Sequence, residues 1–285
     1  MIWKSDDGAR AVAERYRAFL AMWPGPNAQF TVPTRQGDTF VVACGAEDAP
    51  PLVLFHGSAS NSFMWIMDAV LWSQHFRVYA VDIIGEPGLS SPSRPTLASG
   101  AYPLWIDDVL DALKIERTSL VGISLGGWLA LDYASRRPER VNAVAVLCPG
   151  GVGRHKNVLL WAAPLMLLGP WGRRKARAII AGPKKPGAPE APKVVSDFLA
   201  LIFKHFRVRR ERLPVITDAA LKRLTMPVLA ILGARDVMID SLGTRRRLEA
   251  NCRRAEIRWL DDEGHFLIGQ AQPIDDFLRR ANGTP

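Results

Sequence analysis

Short runs of β-forming apolar residues alternate along the chain with longer stretches whose apolar positions recur every three or four residues. The first kind predicts strands and the second helices. Leu52–Phe55, Val78–Asp82, Val141–Leu147 and Val228–Leu232 are nearly all apolar, as strands covered on both faces must be. Ser119–Ile123 and Glu256–Leu260 complete a set of strands at crossover spacing, and helices fit between them. Tyr102–Ile115 places Leu104, Ile106, Val109, Leu110 and Leu113 along a helical face, and Leu125–Arg137 stops just before Pro138. Ser241 reads as the N-cap of a helix through Leu248 to Cys252. A last helix runs from about His265 to Arg280, with Asn282-Gly283 as its stop. Ahead of this series, Gln29–Thr34 and Thr39–Ala43 flank a polar turn and predict an antiparallel hairpin. Asp7–Met22 is amphipathic, with no partner surface that the pattern names. The whole predicts an α/β fold: an eight-stranded, mostly parallel sheet with flanking helices.

One connection breaks the rhythm. Roughly 75 residues lie between Gly150 and Thr225, where one helix and short loops would suffice. They include an apolar block (Val158–Trp171), a basic run (Arg173, Arg174, Lys175, Arg177), a Pro/Gly hinge (Gly182–Pro192) and a helical stretch (Val194–Arg210). We read residues 1–150 and 226–285 as the core and 151–225 as an inserted helical cap. Charge supports the division: Val152–Met226 holds 16 of the 37 Lys/Arg but only 4 of the 28 Asp/Glu, so this segment alone makes the chain basic.

Composition narrows the class. With 48% hydrophobic and 23% charged residues the chain folds rather than staying disordered. The charged start lacks a secretory apolar segment, and Val158–Trp171 is too short to span a bilayer. Cys44, Cys148 and Cys252 are odd in number and form no zinc or redox spacing. The expectation is a cytoplasmic protein with no metal and no cofactor. The basic segment carries no nucleic-acid motif, so no nucleic-acid partner is expected. Its apolar block beside cations could lie on lipid. The preferred reading folds that block down as an apolar pocket, without stable membrane insertion. Oligomeric state stays open.

The chemistry lies at strand ends. Ser119–Ile123 runs directly into Gly122-Ile123-Ser124-Leu125-Gly126 and then into a helix. A strand reversing so sharply strains the central residue and leaves no room for flanking Cβ atoms, hence the glycines. It sets Ser124 as a nucleophile at a helix N-terminus, and the Leu125 N–H as one donor to a developing oxyanion. Leu52–Phe55 ends in His56-Gly57-Ser58, whose Ser58 N–H is the candidate second donor. His56 itself reads as a brace for that loop. Two further strands end at Gly233-Ala234-Arg235-Asp236 and at Asp261-Asp262-Glu263-Gly264-His265. Carboxyl ends of parallel strands are where an open α/β sheet places its site. His265 is therefore the candidate base and Asp236 the acid that orients it, with Asp240 a weaker candidate at a helix start. Leu147-Cys148-Pro149-Gly150 offers no acid after the preceding strand. His75, His155 and His205 read as surface residues.

Together, His56-Gly57, Asp82-x-x-Gly85-x-x-Gly88-x-Ser90, the serine pentapeptide, Gly233-x-x-Asp236 and Gly264-His265 resemble the α/β-hydrolase superfamily. Tyr79–Gly88, with Trp3-Lys4-Ser5 and Met22-Trp23-Pro24, is similar to a bacterial carboxylesterase-like branch. The resemblance implies a serine hydrolase acting on a small-molecule ester through an acyl-enzyme. Ser124 stands where the dehalogenases and epoxide hydrolases of this fold carry Asp. Carbon–carbon bond hydrolases, lactonases and cofactor-free perhydrolases use the same triad and remain alternatives; Ser58-Ala-Ser-Asn-Ser departs from the glycine-rich loop of the first of these.

Overall fold

The computed structural model describes residues 1–156, 164–165, 168–169, 171–172, 175 and 192–283. The apolar block and basic run of the insertion, with the hinge that follows them, lie almost wholly outside the described residues. A single eight-stranded sheet organises the rest: β1 (Asn27–Val32), β2 (Thr39–Cys44), β3 (Pro51–Phe55), β4 (Arg77–Val81), β5 (Thr118–Ile123), β6 (Val141–Leu147), β7 (Val228–Gly233) and β8 (Ala255–Leu260). Their order is β1-β2-β4-β3-β5-β6-β7-β8. β1 pairs antiparallel with β2, and β2 with β4; every later pairing is parallel. The hairpin is therefore real, though its first strand starts two residues earlier than the pattern suggested.

Strand alternation sorts the core into two apolar layers. Val53 and Phe55 of β3 face one layer, with Trp105, Trp128 and Leu129; Leu52 and Leu54 face the other, with Tyr16, Trp72 and Phe277. The first layer is covered by α3 (Ala101–Ala112) and α4 (Leu125–Arg136). The second is covered by α1 (Asp6–Leu20), the short α2 (Asp68–Trp72) and the C-terminal α8 (Ala271–Asn282).

Helix ends show where local pattern misleads. The helix of 241–251 (α7, Ser241–Asn251) is capped one residue earlier than expected: Asp240 is the N-cap, its Oδ1 accepting the Gly243 N–H at 2.9 Å. The final helix begins at Ala271, six residues after His265. Pro273 then sits in the first turn, the only part of a helix that tolerates it. His265 is thereby left in a loop, free of helical constraint.

The partner of α1 is a described part of the insertion. α5 (Lys193–His205) lays Phe198 against Phe19 (ring centroids 5.1 Å apart), Phe63 (6.0 Å) and Tyr16 (6.3 Å). Backbone bonds fasten the same junction, from Lys4 N–H to the His205 carbonyl at 2.9 Å and from Arg207 N–H to the Ile2 carbonyl at 2.8 Å. Gly8 is obligatory there, since a Cβ would run into the His205 ring. The helix stops at His205, where Phe206 turns extended and bridges Trp3. A short helix, α6 (Asp218–Lys222), follows before β7.

Deleting the buried Phe198 ring should therefore cost about 3–5 kcal/mol, the range for large aromatic truncations in a core. The exposed Phe203, on the same helix, should change stability by less than about 0.5 kcal/mol on truncation. Urea denaturation of Phe198→Ala and Phe203→Ala followed by tryptophan fluorescence checks both; equal effects would mean α5 is not docked through Phe198.

Candidate active site

β5 ends at Ile123, and α4 begins at Leu125. The single residue between them, Ser124, takes φ 53° and ψ −107°, a conformation that few side-chain-bearing residues adopt. The surroundings over-determine it. Its N–H donates to the Leu147 carbonyl (3.0 Å), and its carbonyl accepts from Trp128 N–H (3.0 Å) and Gly150 N–H (3.1 Å). The flanking glycines are steric: a Cβ on Gly122 would strike the Gly126 carbonyl, and one on Gly126 the Phe55 carbonyl. Ser124 is half-buried, and its hydroxyl makes no hydrogen bond among the described residues. Leu125, as the first helical residue, has an N–H with no carbonyl one turn behind it to accept it.

β3 leads into the loop of the candidate second backbone donor. After Phe55, the His56 ring is fully buried; its Nε2 accepts the Ile83 N–H (2.9 Å), so Nδ1 carries the proton and donates to the Gly57 carbonyl (2.8 Å). Burial lowers its pKa and keeps it neutral. His56 is a brace, as expected. The following amides separate by their partners. Gly57 N–H points at Met64 Sδ (3.4 Å), Ala59 N–H donates to Glu86 Oε2 (2.7 Å), and the Ser58 N–H between them is unpaired among the described residues. A Cβ on Gly57 would lie 4.0 Å from the Ser124 Cβ, so this loop borders the serine.

The loop after β4 carries Asp82, fully buried, which accepts from Tyr16 Oη (2.9 Å), Ser62 N–H (2.8 Å), Ser62 Oγ (2.7 Å) and Leu89 N–H (2.8 Å). Ser90 Oγ donates to the Asp82 carbonyl (2.6 Å) and accepts the Phe40 N–H (2.8 Å). Gly88 admits the carboxylate because it has no Cβ. This accounts for the Asp-Gly-Gly-Ser motif as structural wiring beneath the site.

β7 and β8 bring the candidate acid and base together. Their ends approach so closely that a Cβ on Gly233 would hit the Gly264 carbonyl. His265 Nδ1 and Asp236 Oδ2 are 2.7 Å apart, both buried. Asp236 Oδ1 accepts from Met238 N–H (2.7 Å) and Ile239 N–H (3.0 Å). Burial pushes the Asp236 carboxyl up, but the His265 hydrogen bond and charge and these two amides outweigh it and hold it below the ordinary value. Asp240, by contrast, caps α7. Asp261 and Asp262 are exposed, hydrogen-bonded to Trp259 and Arg235 respectively. The structure thus joins Asp236 to His265 directly. It sets Ser124 at the end of β5, with β6 between it and β7, linked to them through Leu147 and Cys148.

Cys148 was not singled out by any motif. It follows β6 at φ 40°, and its Sγ lies within 4.8 Å of both an Asp236 oxygen and a His265 nitrogen. The distances would suit a metal, but the donor chemistry does not. Burial first, then the Asp236 carboxylate, keep the thiol protonated far above its usual range, while Asp236 and His265 engage one another. The stem of the insertion also reaches the site: Lys156 Nζ donates to the Asp236 carbonyl (2.6 Å), and His155 bridges Ile239. His155 is exposed as expected, yet burial, Arg212 and His265 lower its pKa.

Comparison with known proteins agrees with this geometry. The alpha/beta hydrolase family model matches residues 52–280, and the chain belongs to that family. Within it the chain is carboxylesterase-like. It is 32% identical over 271 residues to the uncharacterized carboxylesterase nap of Bacillus subtilis, covering 92% of this chain and 88% of that one. Carboxylesterase YbfK of the same organism is 31% identical over 262 residues, covering 89% and 87%. The crystal structure of naproxen esterase (carboxylesterase NP) from Bacillus subtilis superposes with a TM-score of 0.82 at 30% identity, covering 99% of this chain and all of that one.

If Asp240 serves only α7, Asp240→Ala should lower stability by about 1 kcal/mol, as loss of an N-cap does. Asp240→Asn, which keeps an acceptor, should change it much less. Chemical denaturation of the pair measures this, and equal losses would point to a charge role that capping does not supply.

Proposed function

We propose that this enzyme hydrolyses esters through an acyl-enzyme formed on Ser124. The observation that carries the reading is the buried 2.7 Å Asp236–His265 pair at the ends of β7 and β8, with Ser124 held in a strained turn at the end of β5 in the same sheet. With Nδ1 bound to Asp236, His265 presents Nε2 as the base. Nε2 takes the hydroxyl proton as Ser124 Oγ attacks the ester carbonyl. The tetrahedral oxyanion accepts from the Ser58 and Leu125 N–H groups. Collapse expels the alcohol, which leaves with the proton from Nε2. Water, deprotonated by the same nitrogen, then attacks the acyl-enzyme; the acid departs and Ser124 regains its proton. Asp236 keeps the tautomer and offsets the imidazolium charge.

Small to medium uncharged substrates with an apolar part suit this site. Met64 at the oxyanion loop and the exposed Phe266 and Ile268 beside His265 give it an apolar border. We take residues 151–225 as the cap; its apolar block lies almost wholly outside the described residues, and two of its described cations turn inward, Lys156 to the Asp236 carbonyl and Arg209 to Glu211 and Tyr102. No nucleic acid or stable membrane insertion enters this reading, and the expected location is the cytoplasm. Among the described residues no helix is long and apolar enough to cross a membrane.

A fluorophosphonate should label Ser124 and abolish turnover; peptide mapping that found the label elsewhere would overturn the assignment. Ser124→Ala and His265→Ala should each remove nearly all activity, and the double variant little more. Asp236→Asn should lose roughly 10⁴-fold in kcat from the wrong tautomer. Across acetyl, butyryl and hexanoyl p-nitrophenyl esters, kcat/KM should rise by up to about 4-fold per methylene, the equivalent of about 0.8 kcal/mol. A marked preference for a monosuccinate ester, abolished in Arg173→Ala, would instead put the cations in the site.

A further inference from the structure

Glu86 touches none of the groups assigned to bond making, yet it is bonded to the loop that carries one of them. It lies in the turn after β4, only 1% exposed. Its Oε2 accepts the Ala59 N–H at 2.7 Å and lies 3.5 Å from Ser58 Oγ, while Oε1 has no partner among the described residues. The turn it holds is strained, with Ala59 at φ 57°, so its shape needs an external anchor. A carboxylate this dry also needs compensating charge. Arg94 and Arg209 provide it through space, and each is fixed by its own bonds. Arg94 donates to the Gly85 carbonyl (2.6 and 3.0 Å) and to the Arg207 carbonyl (2.9 Å). Arg209 donates to Glu211 Oε2 (2.7 Å) and Tyr102 Oη (2.5 Å).

We propose that Glu86 is the positioning residue of the oxyanion hole, its carboxylate anchoring the Ser58–Ala59 turn so that the Ser58 N–H stays aimed at the oxyanion. The inference rests on the ester-hydrolase reading above and deepens it. A preorganised donor contributes as charge develops, so a loosened turn lowers kcat and spares KM.

The same residue makes the hole pH-sensitive. Burial pushes the Glu86 carboxyl up to about 7, against the opposing pull of the Ala59 N–H, Arg94, Arg209 and the Ser58 hydroxyl. Tyr102, facing the cluster from α3, is itself pushed up by burial to about 12 and stays neutral. The two guanidinium groups stay charged. Below about 7, then, Glu86 gains a proton, and a charge-assisted bond to Ala59 becomes a weaker neutral one. His265 must be unprotonated as well. Two separate protonations therefore suppress turnover on the acid side.

The test is kcat and KM against pH for the wild type and Glu86→Gln, with the affinity of a trifluoromethyl ketone that forms a hemiketal oxyanion. In the variant kcat should fall about 10–100-fold, KM should stay within about twofold, and ketone affinity should fall in step with kcat/KM. The acid limb of log kcat, with a slope approaching about 2 in the wild type, should return to about 1. A variant with wild-type kcat and an unchanged acid limb would overturn the proposal. If Glu86→Gln fails to fold, Glu86→Asp, which shortens the anchor by one methylene, is read by the same kcat and ketone affinity, and wild-type values for both reject the role. Failure of the hydrolase reading is distinguishable, because the wild type would then not label at Ser124.

Discussion

The approach of α4 to the sheet sets the terms for everything above it. The helix must start so close to β3 that residue 126 can carry no Cβ against the Phe55 carbonyl, and β5 so close that residue 122 can carry none either. Between those contacts the chain has one residue in which to reverse, and Ser124 absorbs the reversal. Such a backbone conformation costs of order 1–3 kcal/mol, and three backbone hydrogen bonds to neighbouring elements make it the one that fits. Two of those bonds involve Leu147 and Gly150, at the end of β6 and just beyond it. The elbow is thereby tied to the segment that opens the insertion.

Charge burial is managed differently at each of three carboxylates. Asp82 receives four donors and knits α1, the 61–65 turn and the 82–90 loop into one unit. Asp236 receives two amides and an imidazole, enough to hold it ionised despite burial. Glu86 receives one amide and one long hydroxyl contact, and one of its oxygens has no partner among the described residues. Hydrogen bonds to the charged form compete with desolvation. The least satisfied of the three is the one pushed into the neutral range.

Much of this was legible in the sequence because it is local. Apolar runs and crossover spacing marked all eight strands, and the strand-then-glycine pattern set Ser124, Asp236 and His265 after three strands that lie in one half of the sheet, β5, β7 and β8. What failed was also local but finer: Asp240 rather than Ser241 caps α7, and Pro273 moves the last helix six residues past His265. Cys148, Glu86 and the α1–α5 junction were illegible for another reason. Each owes its place to chain brought from far away, Cys148 to Gly264, Glu86 to Ala59 and Arg209, Phe19 to Phe198. Periodicity reports which face of an element is apolar and says nothing about which other element covers it.

Those long-range ties share a direction. On the near side of the insertion, Gly150 bonds to the Ser124 carbonyl and Lys156 to that of Asp236. On the far side, Arg207 receives Arg94, and Arg209 lies in the charge field of Glu86. One end of the connection thus contacts the backbone of Ser124 and Asp236, and the other the groups around Glu86. Close-packed contacts of this kind transmit displacement rather than absorb it. A shift at either end of the connection would therefore reach Ser124 and Asp236 through hydrogen bonds and Glu86 through charge.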